Sequence, residues 1–90
     1  MTSTAPEARD LVTVLLFASA RLAAGRARVA LPLAGRRLED LPALLAAAFG
    51  PDLGRVLPTC AFWVNGEPAT AGTVLGEGDE VGVLPPVSGG

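Results

Sequence analysis

The alternation of apolar and polar residues along the chain predicts several short strands. Residues 11–17 read LVTVLLF, an almost unbroken apolar run that is typical of a central strand covered on both faces. Residues 28–33 form a second predicted strand, and Pro32 places it at an edge or a bulge, because proline cannot donate a ladder hydrogen bond. A short helical turn is predicted between them at residues 18–24, and Gly25 would end it as a left-handed cap.

The clearest helical pattern covers residues 38–49, where apolar residues recur every three or four positions. Glu39 and Asp40 fall in the first turn of this segment, where the helix dipole favours negative charge. Gly50 and Pro51 follow the last apolar residue and are predicted to end the helix. The residues predicted to share its apolar face are Leu38, Leu41, Leu45 and Ala48.

A hairpin and a final strand are predicted in the C-terminal half. Residues 58–64 predict a strand, and the Asn65-Gly66 pair after it is a strong hairpin signal, because both turn positions prefer positive φ. A short return strand is predicted at residues 67–70, and the last strand at residues 81–84.

The order of these elements predicts an α+β fold of the β-grasp type. We expect a mixed sheet of roughly four or five strands crossed by one main helix, with the first and last strands adjacent and parallel. The chain would divide into a disordered N-terminal tail at residues 1–10, the β-grasp domain at residues 11–84 and a C-terminal reactive tail at residues 85–90. Because half of the 90 residues are hydrophobic, one core is sufficient without disulfides.

The composition argues against catalysis by the chain alone. All seven basic residues are arginines, and lysine, histidine and tyrosine are absent. Without histidine no Ser-His-Asp or Cys-His arrangement can form, and without lysine there is no P-loop. Neither a zinc site nor a nucleic-acid surface is expected, because Cys60 is the single cysteine and the net charge is −2 with no basic stripe. We therefore expect no metal, no bound cofactor and no nucleic-acid partner.

The strand containing Cys60 carries three residues of interest. Cys60 is predicted to pack as a small hydrophobic residue, with a role in sulfur relay as the alternative. A lone cysteine excludes an internal disulfide and the four thiolate ligands of a ferredoxin, and it fits a cytoplasmic location. No apolar run is long enough to cross a bilayer. Phe62 and Trp63 point to opposite faces of the strand, so one of them would be exposed and suit a partner surface.

The last residues of the chain form a tail with unusual physical properties. No side chain from residue 81 to residue 90 is charged, so the terminal carboxylate is the only ionic group there. Pro85 and Pro86 favour a stiff, extended exit from the last strand. Gly89 and Gly90 have no Cβ, so the walls of another protein can close around their backbone. The tail is therefore suited to insertion into a narrow pocket of a partner.

The terminal carboxylate suggests a chemical role for this tail. A carboxylate is a poor electrophile, but an ATP-dependent partner can activate it by joining Gly90 to AMP. A sulfur donor can then displace AMP and leave a thiocarboxylate, which is a nucleophile. The alternative is that the two glycines are ordinary loop residues and the tail is inert.

Three segments resemble the small subunits of molybdopterin synthase, the MoaD-type sulfur carriers. Residues 15–25 read LLFASARLAAG and resemble the family's opening, FFAxxRE…G. Residues 64–68 read VNGEP and resemble its hairpin, and residues 78–90 read GDEVGVLPPVSGG, which is very close to its ending. Leu22 stands where the family often has glutamate after the arginine, so a salt bridge in this turn is not implied.

This resemblance implies a fold, a chemistry and a set of partners. The fold would be ubiquitin-like β-grasp. An activating enzyme of the ubiquitin-activating type would adenylate Gly90 with ATP and magnesium, and persulfide sulfur would convert it to a thiocarboxylate, next to Gly89. The tail would insert into the large synthase subunit, which holds the catalytic residues, and two sulfur transfers would build the molybdopterin dithiolene from cyclic pyranopterin monophosphate in a heterotetramer. Arg21 and Phe17 are candidate interface residues, and pairing with an acidic residue or exposure to solvent is the alternative for Arg21. The residues expected to bind the partner within the tail are Pro85, Pro86, Val87 and Ser88.

Three other functions are compatible with the sequence. The chain could be a related β-grasp sulfur carrier for thiazole, cysteine or specialised-metabolite biosynthesis, since the chemistry at Gly90 would be the same. It could be a ubiquitin-like protein modifier, attached to lysines of target proteins. It could also be a plain β-grasp binding domain with an inert tail.

Overall fold

The computed structural model describes residues 10–86. It contains a sheet on which short helices pack. The strands are β1 Val12–Leu16, β2 Arg28–Leu31, β3 Ala61–Val64, β4 Glu67–Pro68 and β5 Glu80–Leu84. The helices are α1 Ala18–Ala24, α2 Leu41–Phe49 and α3 Pro51–Val56, with 3₁₀ turns at Leu38–Asp40 and Leu57–Thr59.

The sheet has the strand order β2-β1-β5-β3-β4. The first and last strands, β1 and β5, pair in parallel in its centre, and all the other pairings are antiparallel. This mixed sheet with helices packed against it is the β-grasp arrangement. The predicted fold class is therefore confirmed, and so is the predicted parallel pairing of the first and last strands.

One face of the sheet carries the core. In β1 the side chains of Val12, Val14 and Leu16 are buried, and in β5 those of Val81 and Val83 are buried with them. The alternate residues of β1 are only half-buried. The prediction that β1 is covered on both faces is therefore wrong, because among residues 10–86 the helices cover one face only. The other buried hydrophobic residues of the core are Ala20, Leu33, Leu38, Leu41, Leu45, Leu53, Leu57 and Leu75.

The helical region differs from the predicted single helix. Residues 38–40 form a 3₁₀ turn, and α2 begins at Leu41. Gly50 ends α2 with φ 104°, as predicted, but Pro51 begins the further helix α3. Gly54 in α3 lies close to α2, since a Cβ at Gly54 would be 3.2 Å from the Cβ of Ala46. Leu53 and Leu57 are buried in the core, whereas Ala48, which was predicted to share the apolar face of the helix, is exposed.

Proline and turn residues set the strand ends. Strand β3 begins three residues later than predicted, because Pro58 lies in a 3₁₀ turn and has no N–H to donate. The predicted hairpin turn is confirmed: Asn65 has φ 51° and Gly66 has φ 84°. Strand β2 ends before Pro32 and lies at the edge of the sheet, as its sequence predicted.

Candidate functional site

A continuous row of residues crosses the open face of the sheet. Strand pairing places Leu15 of β1 between Arg28 of β2 and Gly82 of β5, and it places Trp63 of β3 between Gly82 and Pro68 of β4. Because side chains alternate between faces along a strand, all five positions lie on the face that the helices leave uncovered. The row therefore has an arginine at one edge, a glycine in the middle and an aromatic residue beyond it.

An apolar groove lies above the middle of this row. Its volume is about 220 Å³, and Leu15, Phe17, Trp63 and Leu84 form its apolar walls over Gly82. Gly66 and the exposed Glu80 complete its lining. Phe17 is 46% exposed and Trp63 is 37% exposed, which is high for aromatic side chains beside one another. Exposed apolar patches of this kind mark interaction surfaces on small soluble domains. We therefore identify the groove as a candidate binding surface.

A second hollow lies on the other side of the ridge formed by Leu15 and Phe17. Its volume is about 260 Å³, and Arg21 of α1 and Arg28 of β2 line it. The ion pairs between residues 10 and 86 join other arginines, Arg37 to Glu39 and Arg55 to Asp52, so within this range neither arginine of the hollow has a carboxylate partner. The hollow is consequently a cationic site beside an apolar one.

The C-terminal tail leaves the sheet next to these two hollows. Leu84 is the last residue of β5 and also a wall of the groove, and Pro85 and Pro86 follow it. The backbone N–H of Phe17 donates to the carbonyl of Val83 at 3.3 Å, which holds the start of α1 against the end of β5. The tail therefore starts at the rim of the apolar groove.

The structure brings together the two residues expected at an interface. Phe17 lies at the N-terminal end of α1, where the chain turns sharply out of β1 and Ala18 takes φ 50°. Arg21 lies one turn further along α1 and lines the same hollow as Phe17. Of the residues predicted for the tail, Pro85 is half-buried and Pro86 is exposed. The four that follow lie outside the described residues: Val87, Ser88, Gly89 and Gly90.

Most residues of the open face carry no signal in the sequence that marks them as part of one site. Leu15, Arg28, Gly82 and Leu84 line the two hollows together with the predicted Phe17. Each strand on its own shows which residues share a face, through its period of two. These residues come together only through the pairing register of strands that are distant in the sequence. No local sequence signal gives that register.

A hydrogen-bond network fixes the β3–β4 turn to the start of β5. The side-chain amide of Asn65 donates to Asp79 Oδ1 at 3.0 Å, and the backbone N–H of Gly76 donates to Asp79 Oδ2 at 2.7 Å. The backbone N–H of Glu80 in turn donates to Asn65 Oδ1 at 2.9 Å. The hydrogen bond from Asn65, followed by that from Gly76, lowers the pKa of the Asp79 carboxyl below its ordinary value.

This network predicts a loss of stability in acid. The folded chain holds the Asp79 proton less tightly than the unfolded chain, whose aspartate pKa is about 3.9. The stabilisation is therefore complete at neutral pH and is lost from about pH 5 downwards, as the pH falls through the lowered pKa. Asp79→Asn should reduce the free energy of unfolding at neutral pH and should differ little from the original chain in strong acid, as measured by urea unfolding across this range.

Glu77→Gln is the matched control for this prediction. Glu77 lies in the same turn, and its carboxylate has no hydrogen-bond partner between residues 10 and 86. This change should leave the pH dependence as it is. An Asp79→Asn chain with the same acid sensitivity as the original would show that the network does not couple protonation to folding.

Cys60 lies beside the core as predicted. It is half-buried and packs against the core cluster, and its thiol donates to the carbonyl of Val56 at 3.4 Å. Burial raises the pKa of the Cys60 thiol, and a hydrogen bond involving Thr59 offsets this in part. Because only the thiolate reacts, Cys60 should react with a disulfide reagent more slowly in the folded chain than in the urea-unfolded chain. Equal rates would contradict the packing role.

The described residues show no metal site and no membrane-spanning helix. Among residues 10–86, no three side chains of histidine, cysteine, aspartate or glutamate come close enough together to hold a metal ion. Over the same range, every helix is too short or too polar to cross a bilayer.

Comparison with known proteins identifies the family. Residues 14–90 match the ThiS family. The molybdopterin synthase sulfur carrier subunit of Chlamydomonas reinhardtii is 40% identical over 82 residues, which cover 88% of this chain and 98% of that protein.

Two solved structures show the same fold. The small archaeal modifier protein 1 (SAMP1) from Methanosarcina acetivorans has 31% identity and a TM-score of 0.75, over 89% of this chain and 96% of that one. A subunit in the protein–protein complex of subunits 1 and 2 of molybdopterin-converting factor from Helicobacter pylori has 27% identity and a TM-score of 0.65, over 89% of this chain and 99% of that one. With a ubiquitin-like β-grasp fold and a family match that runs through to Gly90, the chain belongs to the ThiS family of MoaD-type small proteins.

Proposed function

We propose that this chain is the sulfur carrier and small subunit of a molybdopterin synthase. The observation that carries the proposal is the uncharged tail, because the family match continues through it to the Gly89-Gly90 pair. The 40% identical relative from Chlamydomonas reinhardtii is named as a sulfur carrier subunit of this synthase. In this function the chain is a carrier and not a catalyst, and the catalytic residues belong to the large subunit.

The proposed chemistry takes place at the terminal carboxylate of Gly90. A carboxylate oxygen attacks the α-phosphorus of ATP on an activating enzyme that holds magnesium, and pyrophosphate leaves. The outer sulfur of a persulfide then attacks the glycyl carbonyl carbon, and AMP leaves. A thiol cleaves the remaining S–S bond and is itself oxidised to a disulfide, so that the glycyl thiocarboxylate is released. In this series of reactions the chain itself binds no cofactor. We place the reactions in the cytoplasm.

The second half of the proposal concerns transfer of the sulfur. The tail inserts into the large subunit, where the thiocarboxylate sulfur attacks cyclic pyranopterin monophosphate and displaces an oxygen substituent. Water then hydrolyses the bond between this sulfur and the glycyl carbonyl carbon, which regenerates the carboxylate of Gly90, and two such transfers complete the dithiolene. The Helicobacter pylori complex of subunits 1 and 2 supports a partner of this kind, and we propose a heterotetramer. The absence of side chains at Gly89 and Gly90 suits a narrow channel, since the channel walls can contact the backbone directly.

A second candidate function is attachment to other proteins. It is favoured by the similarity to SAMP1 from Methanosarcina acetivorans, which is named as a modifier protein. Adenylation of Gly90 would be shared by both functions, and a lysine amine would replace the persulfide as the attacking nucleophile. Sulfur carriage for thiazole, cysteine or specialised metabolites would likewise share the activation step.

The direct test is to incubate the chain with its activating enzyme, ATP and a persulfide source, and to measure its intact mass. The proposal expects a gain equal to the difference between sulfur and oxygen, dependent on ATP. An unchanged mass, under conditions in which a known sulfur carrier reacts, would overturn it. Adding the large subunit with cyclic pyranopterin monophosphate separates this pathway from other sulfur acceptors. Mass spectrometry of lysine adducts in cell extract tests the modifier function.

A further inference from the structure

The turn between β3 and β4 uses a pair of residues that is also chemically reactive. Asn65 has φ 51° and Gly66 has φ 84°, and asparagine and glycine adopt this left-handed conformation more readily than other residues. An asparagine followed by glycine also loses its side-chain amide more readily than other asparagines, because no side chain hinders attack by the glycine nitrogen. The hairpin therefore carries a reactive bond at its tip.

The reaction needs only the backbone of Gly66, hydroxide and water. The Gly66 nitrogen gives its proton to hydroxide and attacks Asn65 Cγ, the bond from Cγ to the side-chain nitrogen breaks, and ammonia leaves with a proton from water. Water then opens the resulting succinimide ring at either of its two carbonyl carbons. One opening gives aspartate and the other gives isoaspartate, in which the main chain runs through Cγ. Water replaces ammonia overall, and nothing is oxidised or reduced.

Both reacting groups are accessible to water. Asn65 and Gly66 are exposed, and a Cβ at Gly66 would meet no atom within 4 Å. Among residues 10–86, the backbone N–H of Gly66 donates no hydrogen bond. The attacking nitrogen is thus unrestrained by the described part of the chain, and any restraint on the reaction has to act on the side chain of Asn65.

Hydrogen bonds from the start of β5 restrain both polar atoms of the Asn65 side chain. The side-chain nitrogen, which is the leaving group, donates to Asp79 Oδ1 at 3.0 Å, and the side-chain oxygen accepts from the backbone N–H of Glu80 at 2.9 Å. Asp79 is fixed in turn, because its Oδ2 accepts from the backbone N–H of Gly76 at 2.7 Å. To close the ring, the Asn65 side chain has to rotate out of its two hydrogen bonds, so these bonds oppose the reaction.

We propose that Asn65 is a site of spontaneous deamidation, that its hydrogen bonds to Asp79 and Glu80 suppress the reaction, and that the reaction weakens the attachment of the hairpin to β5. Deamidation replaces the amide that donates to Asp79 Oδ1 with a carboxylate. Two ionised carboxylates at this separation repel each other, and neither has a proton to donate. The proposal is independent of the sulfur chemistry at Gly90.

Isoaspartate disturbs the turn further, because it adds one atom to the main chain. The turn is two residues long, and the pairing of Val64 with Glu67 across it leaves no place for an added atom. The backbone N–H of Asn65, which donates to the carbonyl of Glu80 at 2.8 Å, lies at the same position. Either product therefore loosens the hairpin from β5, the central strand of the sheet.

The composition of the chain makes the experiment direct. Asn65 is the only asparagine and glutamine is absent, so a mass gain equal to the replacement of NH₂ by OH can come only from residue 65. The full-length chain without loaded sulfur is incubated at mildly alkaline pH, folded or unfolded in guanidinium chloride, and its intact mass is followed over time. Isoaspartate is counted by enzymatic methylation of its free α-carboxylate.

The variants test the hydrogen bonds and the product separately. Asp79→Ala removes the acceptor, and Glu77→Ala is the matched control, because it removes a carboxylate of the same turn that makes none of these hydrogen bonds. Each rate is corrected for the unfolded fraction found by urea unfolding. The folded original chain and Glu77→Ala should react roughly 10-fold or more slowly than the unfolded chain, and Asp79→Ala should approach the unfolded rate. Asn65→Asp should raise the equilibrium constant of unfolding about 10-fold.

Each contrary result overturns a defined part of the proposal. An unfolded chain that does not deamidate would overturn the site, and equal rates in the folded and unfolded original chain would overturn its protection. Equal rates for Asp79→Ala and Glu77→Ala would overturn the role of Asp79. If Asn65→Asp unfolded at the same urea concentration as the original chain, the weakening of the hairpin would be wrong. None of these measurements involves sulfur loading, so their failure is distinct from failure of the proposed function.

Discussion

One alanine added after Gly90 should abolish thiocarboxylate formation and leave the fold unchanged. The extra residue moves the carboxylate about 3.3–3.6 Å further along the chain and places a Cβ at the tip. In the proposed activation, the carboxylate must lie in line with the α-phosphorus of ATP. Misplacement of reacting groups by 1 Å can cost about 100-fold in rate, so we expect a loss at least that large in intact-mass assays of sulfur loading.

An alanine inserted after Met1 is the control for this change. It adds the same residue to the same chain at the end that the proposed chemistry does not use. Both variants should unfold at the same urea concentration as the original chain. Sulfur loading at the original rate by the chain extended after Gly90 would contradict the proposed chemistry, because it would show that activation does not depend on a carboxylate at Gly90.

Leu45→Ala should be among the most destabilising single changes in the domain. Leu45 lies in α2 and is 0% exposed, at the centre of the core. Truncation of a buried leucine removes its transfer free energy and leaves a cavity, which costs about 2–5 kcal/mol. Since domains of this kind have a total free energy of unfolding of about 5–15 kcal/mol, the loss is a large part of the total. Equilibrium urea unfolding measures it.

Leu22→Ala is the matched control, because it is the same substitution in a helix at a residue that is 82% exposed. It should change the free energy of unfolding by no more than about 0.5 kcal/mol. Similar losses of unfolding free energy for the two variants would mean that helix propensity, and not the burial of Leu45, determines the effect.

The sequence was sufficient to predict the order of the main elements and their β-grasp arrangement. Two predictions differ from the structure for physical reasons: the covering of β1 on both faces and the single main helix. The apolar run at residues 11–17 indicated a strand covered on both faces. The structure shows instead that Leu15, on the second face, belongs to an open groove. A strand that is apolar on both faces can be covered by helices on both sides or leave one apolar face open, and hydrophobicity alone does not distinguish the two arrangements.

The helix α3 was missed because its residues are usually helix breakers. Pro51 begins α3, where the absent N–H has no helical partner in any case. Gly54 permits the close approach of α3 to Ala46 of α2. Pro51 is tolerated because it stands at the start of the helix, and Gly54 because a second helix lies close to it. The apolar periodicity of a six-residue segment indicates neither.

The candidate site was predicted only in part. The resemblance to the family suggested Phe17 and Arg21, and the structure brings both into one hollow. No sequence pattern singles out Gly82, because its role depends on side chains of other segments that lie around the place where its Cβ would be. The chemistry proposed for Gly90 stays a prediction, since residues 87–90 lie outside the described part of the chain.

The central place of β5 makes the whole sheet depend on this one strand. Strand β5 pairs with β1 on one side and with β3 on the other, so without it the sheet falls into two separate pairs of strands, β2-β1 and β3-β4. Under the proposed function, a chain truncated before β5 would lose the joined sheet and the terminal glycines together. The topology would then couple sulfur loading to the integrity of the fold.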